Sequence, residues 1–329
     1  MAFNSIGTRS ISRRCFPNLD IEHYLGLRGK NTWSREGNQG QMLVKRLIAQ
    51  IIHERTPSAS QLPEVYLRFA DRLDTSDVVI TLNYDIVLER SLERVGKPYR
   101  LFPHRYSQIG IVSNLIDISR EEVILLKMHG SVDWFDMAAY DEQVQIARSS
   151  DFPDYTPSDA VFDPRDIYGR VPIVDGPRDP NDPLLTIFRL SRVDEFYKNP
   201  TLTYTPWILP PSYSKVVYSS TLHDFWYGLG LQGGESLGLA IIGFSMPNHD
   251  NYLRQALYSI VQNYQTSWWD LEFPNGARKT RLKLIDLRTT DEERRHLEER
   301  YRFIDWSKAV KHLSGFNNDA VDLIFADDH

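Results

Sequence analysis

Four short apolar runs, each stopping at small or polar residues, constrain this chain most: Val78–Leu82, Val123–Met128, Leu237–Phe244 and Leu282–Leu287. Their length and their content of β-branched residues and leucine read as strands rather than helices. Helical periods lie between them. Gln41–Ile52 places Leu43, Val44, Leu47, Ile48, Ile51 and Ile52 at three- and four-residue spacings, and Leu62, Val65, Tyr66, Phe69, Ala70 and Leu73 repeat the pattern behind Pro63, which a first helical turn tolerates. Leu253, Ala256, Leu257, Ile260, Val261 and Tyr264 form another such face, with Asn248 or Asp250 as its cap, and Thr290 to Glu293 has capping-box spacing. Strands alternating with helices predict an α/β fold with a doubly wound, mostly parallel, Rossmann-like sheet.

Charge is unevenly spread. The formal net charge is -6, and Asp136 to Pro200 alone holds 13 acids against 7 bases, so the remainder of the chain is neutral. A neutral remainder offers no large basic surface to attract nucleic acid without sequence preference. The same segment carries 8 of the 18 prolines and loses all periodicity, which reads as an irregular, acidic insertion over 136–200, beside a domain built from 1–135 and 201–329. Its charges read as a solvated face. The aromatic residues Phe225 and Trp226 fall in a helical stretch and read as core.

With Cys15 as the one cysteine, neither a disulfide framework nor a cysteine-ligated zinc site can be built, which suits a reducing, cytoplasmic location. No apolar run reaches the length of a membrane span. The first nineteen residues hold Arg9, Arg13 and Arg14 and no acid, a composition shared with organelle transit peptides but common by chance in so short a stretch.

The chemistry gathers where strands end. Val78–Leu82 delivers Asn83 and Asp85 to a helix over 86–94, and Val123–Met128 delivers His129, Gly130 and Ser131. Open parallel sheets bind ligands just beyond these carboxyl ends, so side chains there face a crevice. The plainer alternatives are that Asn83 or Asp85 caps the helix, that His129 is a satisfied buried histidine, and that Ser245 and Asp286 are only turn and strand-end residues.

Three strand ends in order, Thr81-Leu-Asn83-Tyr-Asp85, Lys127-Met-His129-Gly130-Ser131 and Gly243-Phe-Ser245 with Asp250, resemble the Sir2 family of NAD-consuming enzymes, and more narrowly its bacterial, zinc-less Sir2-like branch. Pro210-Pro211 followed by Lys215 is similar to that branch as well. The resemblance implies that Asn83 holds the nicotinamide ribose and orients the nucleophile, that Asp85 is its neighbour in the nicotinamide pocket, that His129 is the general base, and that Thr81 and Gly130 also bind the cofactor. It further implies that Gly243 and Ser245 approach the phosphates and ribose and that Asp286 meets the adenosine ribose. The implied activity is NAD glycohydrolysis to nicotinamide and ADP-ribose in antiphage defence, with NAD as substrate and no metal, gated by self-assembly or by a partner protein such as an ATPase. These residue types suit that chemistry: histidine is a base near neutral pH, and asparagine can hold a water and a ribose hydroxyl together without adding charge.

Two departures from the family pattern stand out. The four zinc-binding cysteines of the deacylating members are absent, and the glycine-rich diphosphate loop (Gly-Ala-Gly-x-Ser) has no counterpart, since Ser5–Ser10 has one glycine and no apolar strand before it. The second leaves three alternatives open: a start further upstream, completion of the site by another chain, or loss of cofactor binding. A catalytically impaired binding or assembly subunit, or an ADP-ribose sensor, is the corresponding alternative function.

Overall fold

In the computed structural model the described residues are 32–34, 37–102, 104–149, 161–162, 164–180, 182, 184–198, 205–209, 234–246, 251–273 and 276–326. The basic segment around Arg13, the Ser5–Ser10 stretch, Cys15, Pro211, Lys215, Phe225, Trp226, Asn248 and Asp250 lie outside them. Contacts divide the chain into two compact units, one of residues 1–62 with 73–222 and one of residues 63–72 with 223–329.

The first unit contains a parallel sheet of three strands: β1 (Val78–Thr81), β2 (Tyr99–Arg100) and β3 (Val123–Lys127). β3 lies between the other two, pairing Thr81 with Lys127 on one side and Tyr99 with Val123 on the other. Helix α1 (Gln39–Arg55) precedes β1, and α2 (Val87–Val95) makes the crossover from β1 to β2. Gly96 ends α2 in the left-handed conformation, at φ 73°, so that its amide reaches the Glu93 carbonyl.

Burial follows position in the sheet. In β3 four of the five residues are buried, as a central strand requires. The apolar, β-branched run Val78–Leu82 has the composition of a buried strand, but among the described residues β1 lies at the edge of its sheet, and Val78 and Ile80 are 43% and 40% exposed. The apolar stripe of α1 is divided in the same way, since Ala49, Ile48 and Ile52 meet the core whereas Leu43, Leu47 and Ile51 face outward. Six apolar residues span more of the helix circumference than one core contact covers.

The segment expected to be irregular is ordered over much of its described length. It contains α3 (Ala138–Arg148), α4 (Val193–Lys198) and an antiparallel sheet in which Ile187–Leu190 lies between Trp134–Asp136 and Arg170–Pro172. Strands of three and four residues are too short to leave a periodic signal. Phe196 is fully buried at the centre, edge-on to Phe135 at 4.9 Å and to Tyr168 at 5.6 Å.

The second unit repeats the parallel arrangement. Here β4 (Ala240–Ile242), β5 (Leu282–Ile285) and β6 (Ala309–His312) form a sheet with β5 in the middle, and all four residues of β5 are buried. Helices α5 (Asn251–Thr266) and α6 (Asp291–Arg300) lie between its strands in sequence. Val261, Tyr264, Leu297 and Tyr301 pack with Ile241 and Leu284 in its core. The helix over Glu64–Arg72 also belongs to this unit, where Phe69 packs against Phe316 at 5.5 Å. The expected capping box is present, with Thr290 accepting from the Glu293 amide and Glu293 accepting from the Thr290 amide. The fold is therefore mixed α/β and Rossmann-like, with its parallel strands in two three-stranded sheets. Among the described residues, no helix is long and apolar enough to cross a membrane.

Candidate functional site

In the first unit the carboxyl ends of the neighbouring strands β1 and β3 run into two turns that are bonded to each other. Met128 N–H donates to the Thr81 carbonyl at 3.0 Å, and Val132 N–H donates to the Tyr84 carbonyl at 2.9 Å. A third segment, residues 205–209, closes over them: Leu209 N–H donates to the His129 carbonyl at 2.9 Å, Ser131 N–H donates to the Trp207 carbonyl at 3.2 Å, and the Tyr84 hydroxyl donates to the Leu209 carbonyl. The structure thus brings Thr81, Asn83, Asp85, His129 and Gly130 together on one end of one sheet.

Each of these residues has a defined setting. The Thr81 hydroxyl accepts the Asn83 amide at 3.1 Å and shapes the turn that leaves β1. Asn83 is exposed, and its carboxamide makes no hydrogen bond to a described residue. The Asp85 carboxylate accepts Val87 N–H at 3.0 Å, so the helix-start role open to Asn83 or Asp85 falls to Asp85 and leaves the Asn83 amide group available. His129 is 5% exposed, with its ring tilted against that of Tyr84 at 6.1 Å between centroids.

Gly130 is required for steric reasons. Its φ is 77°, and a Cβ there would stand 2.1 Å from the Trp207 carbonyl oxygen. Only glycine allows the 207–209 segment to pair this closely behind His129.

Beneath the turns is a set of buried charged groups that the sequence reading did not assign. Lys127 donates to the Asp85 carbonyl and to the Glu89 carboxylate, while the Ser131 hydroxyl donates to Asp133. Burial pushes the Glu89 carboxyl above its ordinary value, opposed by the Lys127 ammonium. The Tyr197 hydroxyl donates to the Val132 carbonyl at 2.7 Å, and the Tyr197 ring stacks on His53 at 4.2 Å. Burial also raises Tyr197 well above the ordinary tyrosine value, so it stays a neutral donor. One signal for this layer was legible: Lys127 interrupts an otherwise apolar strand, where a charge has no place without a partner.

The remaining candidates lie in the second unit. Gly243 follows β4 at φ 61°, no described atom lies within 4 Å of where a Cβ would stand, and its amide donates to the Ile285 carbonyl at 2.8 Å. Ser245 is exposed, and its carbonyl accepts Arg300 at 2.7 Å. Asp286 uses both carboxylate oxygens locally, one for Leu287 N–H at 2.7 Å and one for Arg288 at 2.9 Å. Among the described residues, no group of three or more His, Cys, Asp and Glu side chains is arranged to hold a metal ion.

A family model described as a SIR2-like domain matches residues 77–165. That span includes Thr81, Asn83, Asp85, His129 and Gly130, and the match supports a Sir2-like family assignment. Domains of this kind bind NAD and are often NAD-utilising enzymes. No curated protein matches the chain.

Proposed function

Taking a Sir2-like domain over residues 77–165 as the premise, we propose that the chain is an NAD glycohydrolase that releases nicotinamide and ADP-ribose, acting in the cytoplasm in defence against phage. The observation that carries this reading is the pairing of two strand ends, one bearing the exposed Asn83, whose carboxamide is not engaged by any described residue, and the other His129, braced by backbone hydrogen bonds between their turns. In the proposed reaction Asn83 holds a ribose hydroxyl and orients a water molecule. His129, as neutral imidazole, takes one proton from that water while the water oxygen bonds to the ribose C1′. The bond from C1′ to the nicotinamide nitrogen breaks, its electron pair neutralises the pyridinium, and His129 returns its proton to solvent. Thr81, Asp85 and Gly130 shape the wall around the leaving nicotinamide. In the same reading activity depends on self-assembly or on a partner such as an ATPase.

The test is steady-state nicotinamide release by the full chain and by its Asn83→Ala and His129→Ala variants. Losses of about 100-fold or more in kcat with an unchanged melting temperature are expected, since both groups act at the reacting bond. Wild-type rates in both variants would remove the site assignment. A second reading, an assembly subunit that has lost cofactor binding, is favoured by the local engagement of both Asp286 oxygens. Calorimetric titration separates the two: an assembly subunit binds neither NAD nor ADP-ribose.

A further inference from the structure

Lys127 ends β3 two residues before His129, yet its side chain turns away from its own strand. It is 0% exposed, and its ammonium donates both to the Asp85 carbonyl and to the carboxylate of Glu89, itself 4% exposed in the first turn of α2. A buried ion pair is a poor means of stabilising a fold, because desolvation of both charges offsets most of their attraction, and an apolar pair of similar size serves as well. An apolar pair cannot, however, hold a backbone carbonyl. The carbonyl held here belongs to Asp85, at the end of the turn that presents Asn83. Among the described residues the other ties between the turns are the backbone bonds from Met128 to Thr81 and from Val132 to Tyr84, on either side of this one, and a longer bond from the Ser131 hydroxyl to the Tyr84 carbonyl at 3.4 Å.

We infer that Lys127 is a positioning residue: bridging the Asp85 carbonyl and Glu89, it locks the turn bearing Asn83 against the turn bearing His129. The inference rests on the reading of Asn83 and His129 as the hydrolytic pair. Lys127 does not touch substrate, since it is completely enclosed. Glu89 neutralises the ammonium and aims it; the contact that matters for turnover is the one to the carbonyl.

Stability and alignment are therefore separable in the full-length protein. Glu89→Gln keeps the carbonyl contact and removes the charge compensation; it is expected to lower the melting temperature while holding kcat within about 3-fold of wild type. Lys127→Met combined with Glu89→Leu removes both charges and the carbonyl contact. This double variant is expected to melt at or above the wild-type temperature, to lose about 10- to 100-fold in kcat with KM nearly unchanged, and to exchange the Val132 amide at least about 10-fold faster. A double variant with wild-type kcat overturns the inference. So does a folded Glu89→Gln variant that loses about 10-fold or more in kcat, and this arm decides even if the double variant does not fold. If the wild-type chain releases no nicotinamide, the hydrolase reading fails on its own, and Val132 exchange alone then tests the clamp. Unchanged protection in the double variant refutes it.

Discussion

Replacing Gly130 by alanine is the most informative single perturbation of the candidate site, because its cost has two separable parts. A left-handed backbone at φ 77° costs a residue with a Cβ about 1 to 2 kcal/mol. The new Cβ would also stand 2.1 Å from the Trp207 carbonyl oxygen and 2.8 Å from the Trp207 ring, too close for either to give way by a small shift. Relief requires residues 207–209 to move off the His129 turn, which breaks the bonds from Ser131 to Trp207 and from Leu209 to His129. Two such bonds contribute about 2 kcal/mol net, which brings the total to about 3 to 4 kcal/mol. Gly96 is the control within the same unit: its φ is 73°, but no atom of a described residue lies within 4 Å of an added Cβ, so alanine there meets only the backbone part. Urea unfolding of the two variants is expected to give a difference of about 2 kcal/mol or more, with Gly130→Ala the weaker. If Gly130→Ala costs no more than Gly96→Ala, the close packing of 207–209 behind His129 is wrong.

Two further outcomes are expected. Thr290→Ala removes the acceptor for the Glu293 amide and is expected to lower the stability of the second unit by about 1 kcal/mol, measured by denaturant unfolding. The Thr289 and Thr290 amides hold the Glu293 carboxyl below its ordinary value, so its contribution is present above that value and is lost as pH falls through the lower, folded one. His53 has the opposite chemistry: burial lowers it from 6.5, against the pull of Asp194, so below 6.5 the unfolded chain binds the extra proton. Stability of the first unit is expected to fall as pH drops from about 7.5 to about 5.5, and His53→Phe, which keeps the stack on Tyr197, is expected to flatten that slope in urea midpoints.

Much of this architecture was legible in the sequence because it depends on local patterns. Val123–Lys127 and Leu282–Ile285 are buried central strands where their apolar runs predict them, and the Thr290–Glu293 spacing is a capping box. The family resemblance read from the strand-end residues agrees with the SIR2-like match over 77–165. What escaped depends on position within a sheet or on pairing across the chain. Val78–Thr81 has the composition of a buried strand, but edge or centre is set by its neighbours, which a single run does not encode. The Lys127–Glu89 pair joins residues 38 apart, and closure of the His129 turn by Trp207 and Leu209 joins segments farther apart still. The short strands at 134–136 and 170–172 form because Ile187–Leu190 lies between them, and proline-rich sequence around them gives no periodic sign of it.

Quantifying the products of NAD incubated with the full-length protein bears most directly on the proposed chemistry. The expected result is nicotinamide and ADP-ribose in equal amounts, with oxygen from solvent water at the ribose C1′ and release abolished in Asn83→Ala. NAD that binds but is recovered intact, or nicotinamide release that continues undiminished without Asn83 and His129, would contradict it.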